Sequence, residues 1–182
     1  MVALVPPEAH GDERGALLNF IEAQRAALRR TVLGLTEEQA ASRPTAGELS
    51  LSGLLKHAAR AELTWLRYAR QGALKEEYLR DSSYADGFRL TGDETIVSVL
   101  AAWDGIVKET EELIRTVPSL DDTFPLPEAP WFPKDGRVSM RWLALHLVQE
   151  FARHAGHADI IRETLDGKTS YELIAMEAEG EG

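Results

Sequence analysis

Four long segments of this chain carry apolar residues at helical spacing, and no segment alternates apolar and polar residues between hairpin turns. That pattern restricts the fold to the all-α class. The first segment, about Asp12 to Leu33, places Leu17, Leu18, Ile21, Leu28 and Val32 at helical spacing and meets a stop signal at Gly34. In "TEEQAAS", Thr36 is a capping residue with Gln39 three positions on, which predicts a short extra helical turn. A second helix starts after Ser50 or Ser52 and runs to about Arg70, where Gln71-Gly72 ends it. The third, about Asp93 to Thr116, has an acidic first turn and stops before Pro118. Ser139 caps a fourth, about Met140 to Leu165, closed by Asp166-Gly167. A brief amphipathic piece from Ser170 to Met176 precedes the acidic tail of residues 177–182, expected to be frayed.

Two connections are long. Residues 72–92 are mixed and polar, a length that lets the flanking helices of a bundle run in unusual directions. "VPSLDDTFPLPEAPWFPKDG" holds five of the eight prolines and reads as a loop over the surface or across one end of the bundle. The length of 182 residues fits one domain covering the whole chain, with its core at about 12–167.

Composition narrows the partners. The net charge is -10, from 30 acidic and 20 basic side chains, so the surface repels phosphate backbones and nucleic acid is not an expected partner. There is no cysteine, which excludes disulfides, thiolate ligands and a cysteine nucleophile; any thiol chemistry must use a thiol brought by a substrate. No run approaches the about 20 apolar residues of a membrane span, and the N-terminus lacks a basic leader. A soluble, cytoplasmic protein without a membrane partner is the expectation.

The stretch "HLVQEFARHAGHADIIRE" concentrates three of the five histidines. With His146 at the origin of a helical wheel, Glu150 lies at about 40°, His154 at about 80° and His157 at about 20°. All four share one stripe, and each i,i+3 or i,i+4 pair can meet at one ion. A catalytic divalent metal takes about three protein ligands plus water, so a further donor must come from elsewhere. His57 on the second helix shares a face with Leu54, Ala61, Thr64, Trp65 and Tyr68 and is expected to point toward the core, whereas His10 lies in the polar N-terminal lead. An ordinary solvated stripe, with Glu150 paired to Arg153 or His154, accounts for the same spacing. Spacing alone also leaves open which two of the four would bind.

"LSLSGLLKHAARAELTWL", followed by "VSMRWLALHLVQEFARHAGHADIIRE", resembles the DinB-like superfamily of metal-binding four-helix bundles with long crossover connections. The "RWLALH…E…ARHAGHADIIRE" run with its trailing "DG" resembles, more narrowly, the actinobacterial branch grouped with mycothiol-dependent enzymes. The resemblance spans about Glu13 to Gly167. It implies one histidine ligand from the second helix and an i,i+4 pair from the last long helix, whose first member is glutamate in the maleylpyruvate isomerase type. Residue by residue it implies His57, Glu150 and His154 as ligands of a divalent metal, with zinc the first choice and nickel or iron as alternatives. Gly156 matches the glycine after the last ligand. His146 and His157 are extra imidazoles beside the site, read as acid/base or hydrogen-bonding groups.

The implied activity is thiol S-transfer or isomerisation, with a low-molecular-weight thiol such as mycothiol and an electrophilic small molecule as partners. Two neutral imidazoles and one carboxylate leave a divalent ion net positive with open positions, where a thiol loses its proton and becomes the nucleophile. Trp65, Tyr68, Trp131 and Phe132 are the expected pocket wall, though ordinary packing also explains each. The same donor set would serve a metal-dependent hydrolase activating water, or a non-enzymatic, stress-related metal-binding bundle, and a homodimer is compatible with the pattern.

Overall fold

The computed structural model describes residues 5–6, 11–70 and 85–180. His10 and most of the 72–92 connection lie outside these residues. Four long helices form the bundle: α1 (Glu13–Arg30), α3 (Leu51–Arg70), α4 (Ile96–Thr116) and α5 (Met140–Asp166). The short α2 (Glu37–Ala41) joins the first pair, and α6 (Ser170–Glu179) follows α5. Around the bundle α1 packs on α5 and α4, and α3 packs on α4 and α5, so the main contacts form a closed ring of four. Ile21, Leu28, Leu54, Leu55, Trp103, Ile106, Leu147 and Phe151 fill its centre. Among the described residues no helix is long and apolar enough to cross a membrane.

Local chemistry explains most of the helix ends. Thr36 and Gln39 form the reciprocal capping box at α2. Ser139 accepts from the Trp142 amide at the start of α5, and Gly167, at φ 79°, ends it in the left-handed conformation that glycine adopts without cost to a Cβ. The third long helix begins later than its acidic residues suggest: Thr95 caps α4 with Ser98 as reciprocal partner. Glu94 is drawn away from that helix to Lys56.

Three features depart from the sequence reading. The proline-rich connection contains a small antiparallel hairpin, β1 (Thr123–Pro125) with β2 (Arg137–Ser139), in the register Thr123↔Ser139. Pro125 is tolerated there because a two-stranded ribbon is all edge. The start of the acidic tail is helical rather than frayed: α6 runs through Glu179, buries Leu173 and Ile174, and pairs Glu177 with Arg30 at 3.0 Å. The core also holds an ion pair. Arg25 and Glu62, both fully buried, meet at 2.5 Å, and Trp103 Nε1 donates to the same carboxylate at 2.8 Å.

Candidate metal centre

The buried face of α5, made by Leu143, Leu147, Phe151, Ala155 and Ala158, faces the core. Glu150 and His154 therefore stand on the flank that faces α3. On α3 the buried residues include Leu51, Leu55, Ala58, Ala59, Leu63 and Leu66. His57 sits at the margin of that face with its side chain 20% exposed, rather than inside the core, because the deep positions are already filled by aliphatic groups and Glu62. Ser50 Oγ accepts from the Gly53 amide at 3.2 Å and fixes where α3 begins.

From these positions three side chains converge. His57 Nε2 lies 3.0 Å from Glu150 Oε1, and His154 Nε2 lies 3.2 Å from the same oxygen. One ligand atom from each of His57, Glu150 and His154 falls within 4.8 Å of the others, a grouping able to hold a metal ion. The hydrogen bonds from His154 and His57 hold the Glu150 carboxyl far below the usual carboxylate range, against the upward push of burial. The site thus offers one ionised oxygen and two imidazole nitrogens, a borderline donor set that suits zinc, nickel or iron. With side-chain exposures of 20%, 21% and 11%, the three donors are shielded but reachable from solvent.

The other two α5 histidines stand outside this group. His157 Nδ1 lies 3.4 Å from His154 Nδ1, behind the ring that points Nε2 at Glu150. If His154 presents the Nε2 lone pair to an ion, its proton must sit on Nδ1, and His157 Nδ1 is the acceptor within reach. His146, one turn before Glu150, stacks on Trp142 with 4.8 Å between centroids and 4° between planes, and meets Trp65 edge-on at 4.8 Å. Burial lowers its pKa, with Glu150 opposing in part.

The expected pocket wall is divided. Trp65 packs against Trp142, His146, Phe132 and Tyr68, the last two at 6.2 and 6.3 Å between centroids. Tyr68 is 37% exposed, and Trp131 is 77% exposed beside Phe132 on the hairpin loop. Sequence reasoning passed over Trp142, and it passed over Phe88, whose ring stacks on His57 at 4.0 Å. Gly53, a glycine inside a helical pattern, is the local signal of such a close approach.

Fold and donors together define a helical bundle with a two-histidine, one-carboxylate group between its second and last long helices. The chain belongs to the mycothiol-S-transferase family, whose model matches residues 16–167. That span carries all three donors and ends at the glycine closing α5, leaving α6 outside it. Among curated proteins no match is found.

Proposed function

We propose that this chain is a metal-dependent thiol S-transferase acting in the cytoplasm, with His57, Glu150 and His154 as ligands of a divalent ion, zinc by preference. The observation that carries this reading is the convergence of two imidazole Nε2 atoms on one carboxylate oxygen. Such an ion, when bound, lowers the pKa of a thiol reaching its open positions, so that the thiolate prevails at neutral pH. The cosubstrate is a low-molecular-weight thiol of the mycothiol type, in keeping with the family and with a chain that has no cysteine to compete for the ion.

In the transfer, the thiol S–H proton passes to a base, and a new S–C bond forms at the electrophile. The bond to the leaving group breaks, and that group departs with its electron pair. His146, one turn from Glu150 and with a pKa that burial lowers, accepts the proton. His157 receives the Nδ1–H of His154 and keeps that ring aimed. Trp65, Tyr68, Trp131 and Phe132 supply flat apolar surface for the electrophile.

Incubating the metal-loaded protein with electrophiles, with and without the thiol, tests this. Formation of the thioether only when both are present, and its loss in His57→Ala, is the expected result. Thiol-independent turnover of the electrophile would instead make the protein a hydrolase.

A further inference from the structure

The two histidines of the centre are held by different devices. His154 has the His157 imidazole behind it, with the two Nδ1 atoms 3.4 Å apart. Among the described residues nothing hydrogen-bonds His57 Nδ1; the His154 ring meets this imidazole edge-on at 4.7 Å between centroids, and what covers its face is Phe88, 4.0 Å away and 15° from parallel. An imidazole delivers its lone pair to an ion only when the ring plane contains the ion, so rotation of the ring swings the donor off its target. A flat ring in van der Waals contact blocks that rotation. The edge of the same arrangement reaches His154, whose ring centroid is 6.4 Å from that of Phe88.

Phe88 is itself fixed to α3, at two points close to His57. It ends the 3₁₀ turn Ala85–Phe88, and its carbonyl oxygen lies so near α3 that a Cβ added at Gly53 would overlap it. Lys56, adjacent to His57 and only 1% exposed, reaches across to the segment that follows the turn. Its Nζ donates to Arg89 O at 3.0 Å, Thr91 Oγ1 at 3.4 Å and Glu94 Oε2 at 2.5 Å. A buried ammonium is costly without partners, and this one has three, all of which tie residues 89–94 to the turn of helix that carries His57.

We propose that Phe88 is a positioning residue of the metal centre, its ring setting the plane of His57, with Gly53 and the Lys56–Glu94 pair clamping the Phe88 turn in place. The proposal rests on the reading of His57, Glu150 and His154 as ligands. It predicts a site that loses affinity when the stack is lost while the bundle stays folded.

The test compares wild type, Phe88→Leu and Phe88→Tyr. Zn²⁺ affinity is measured by competition with a chromogenic chelator, the visible spectrum of the Co²⁺-loaded proteins reports ligand geometry, and far-UV circular dichroism with the metal-free Tm reports the fold. Phe88→Leu should bind Zn²⁺ about tenfold more weakly or worse and show an altered Co²⁺ spectrum, with helix content unchanged. Phe88→Tyr, which keeps the flat ring, should return both to wild-type values. Equal affinity and an identical Co²⁺ spectrum in Phe88→Leu would overturn the proposal and leave the ligand reading intact. Loss of helix content in Phe88→Leu would overturn it too, by making Phe88 a prop of the bundle. A wild type that binds neither ion sinks the ligand reading itself.

Discussion

His57 and Glu150 stand 93 residues apart in the chain and meet at 3.0 Å across the α3–α5 interface. That distance ties metal binding to the packing of two helices rather than to one local motif. An ion gripping both helices binds the folded bundle and not the separated chain, so it must stabilise the fold. At a zinc concentration about a hundred times its Kd the gain is about 2.7 kcal/mol. For a chain of this length that raises Tm by about 5 to 11 °C. Scanning calorimetry with and without chelator checks it, and His57→Ala should abolish the rise.

His157 offers a second prediction. Its role toward His154 requires only an acceptor at the right distance, so His157→Gln can keep it through the amide oxygen while His157→Leu cannot. The leucine variant should bind zinc about 10- to 100-fold more weakly, and the glutamine variant close to wild type. Equal weakening in both would point to packing instead of hydrogen bonding.

What could be read from the sequence divides along the range of the interactions. The capping box of Thr36 and Gln39 depends on residues three apart, and so is visible in the chain. Glu150 and His154 are separable from His146 and His157 only by resemblance, because one helical stripe of α5 carries all four, whereas His57 stands out by its place on the inward face of α3. Glu62 looks like any solvated helix glutamate; Arg25, 37 residues away, and Trp103, 41 away, make it a core residue. Phe88 escaped for the same reason: nothing in a polar connection announces that the Phe88 ring will lie on His57. The hairpin Thr123–Pro125 with Arg137–Ser139 is hidden by the prolines of its loop, which are poor strand residues except at an edge.

The Arg25–Glu62 pair gives a prediction about stability alone. Both side chains are fully buried, and Trp103 Nε1 donates to the same carboxylate, so removing Glu62 leaves the Arg25 guanidinium with only the solvent-exposed carboxylates of Glu22, at 3.2 Å, and Glu111, at 3.7 Å, and leaves the indole N–H without its acceptor. Glu62→Ala should cost about 3 to 5 kcal/mol in urea unfolding. Replacing Arg25 and Glu62 together by apolar residues should cost much less, since no orphan charge remains. A single variant as stable as wild type would contradict this account.

Acid should loosen the Phe88 clamp. Burial alone would raise the Glu94 pKa, but hydrogen bonds from Lys56 and Thr91 outweigh it and hold the carboxyl below its ordinary value of 4.5. A group whose pKa is depressed by folding adds stability that is present above its unfolded pKa and lost as pH falls through the folded one. The stability gap between wild type and Glu94→Gln should therefore be widest at neutral pH and close as the pH drops below about 4.5. Urea midpoints of the two proteins, taken from pH 7 down to pH 3, measure it; a gap independent of pH would mean Glu94 acts without its charge.

Trp131 separates a binding role from a packing one. At 77% exposed it buries little surface in the free protein, so Trp131→Ala should leave Tm nearly unchanged. If its ring stacks on the electrophile, the lost contact is worth about 0.5 to 1.5 kcal/mol. That appears as about a two- to tenfold rise in KM for the electrophile, with KM for the thiol unaffected. Trp65→Ala is the contrasting case, since Trp65 packs against Trp142, His146 and Phe132 and its removal should lower Tm as well. Unchanged kinetics in Trp131→Ala would remove Trp131 from the pocket and leave Phe132, 6.2 Å from Trp65, as the loop's contribution to it.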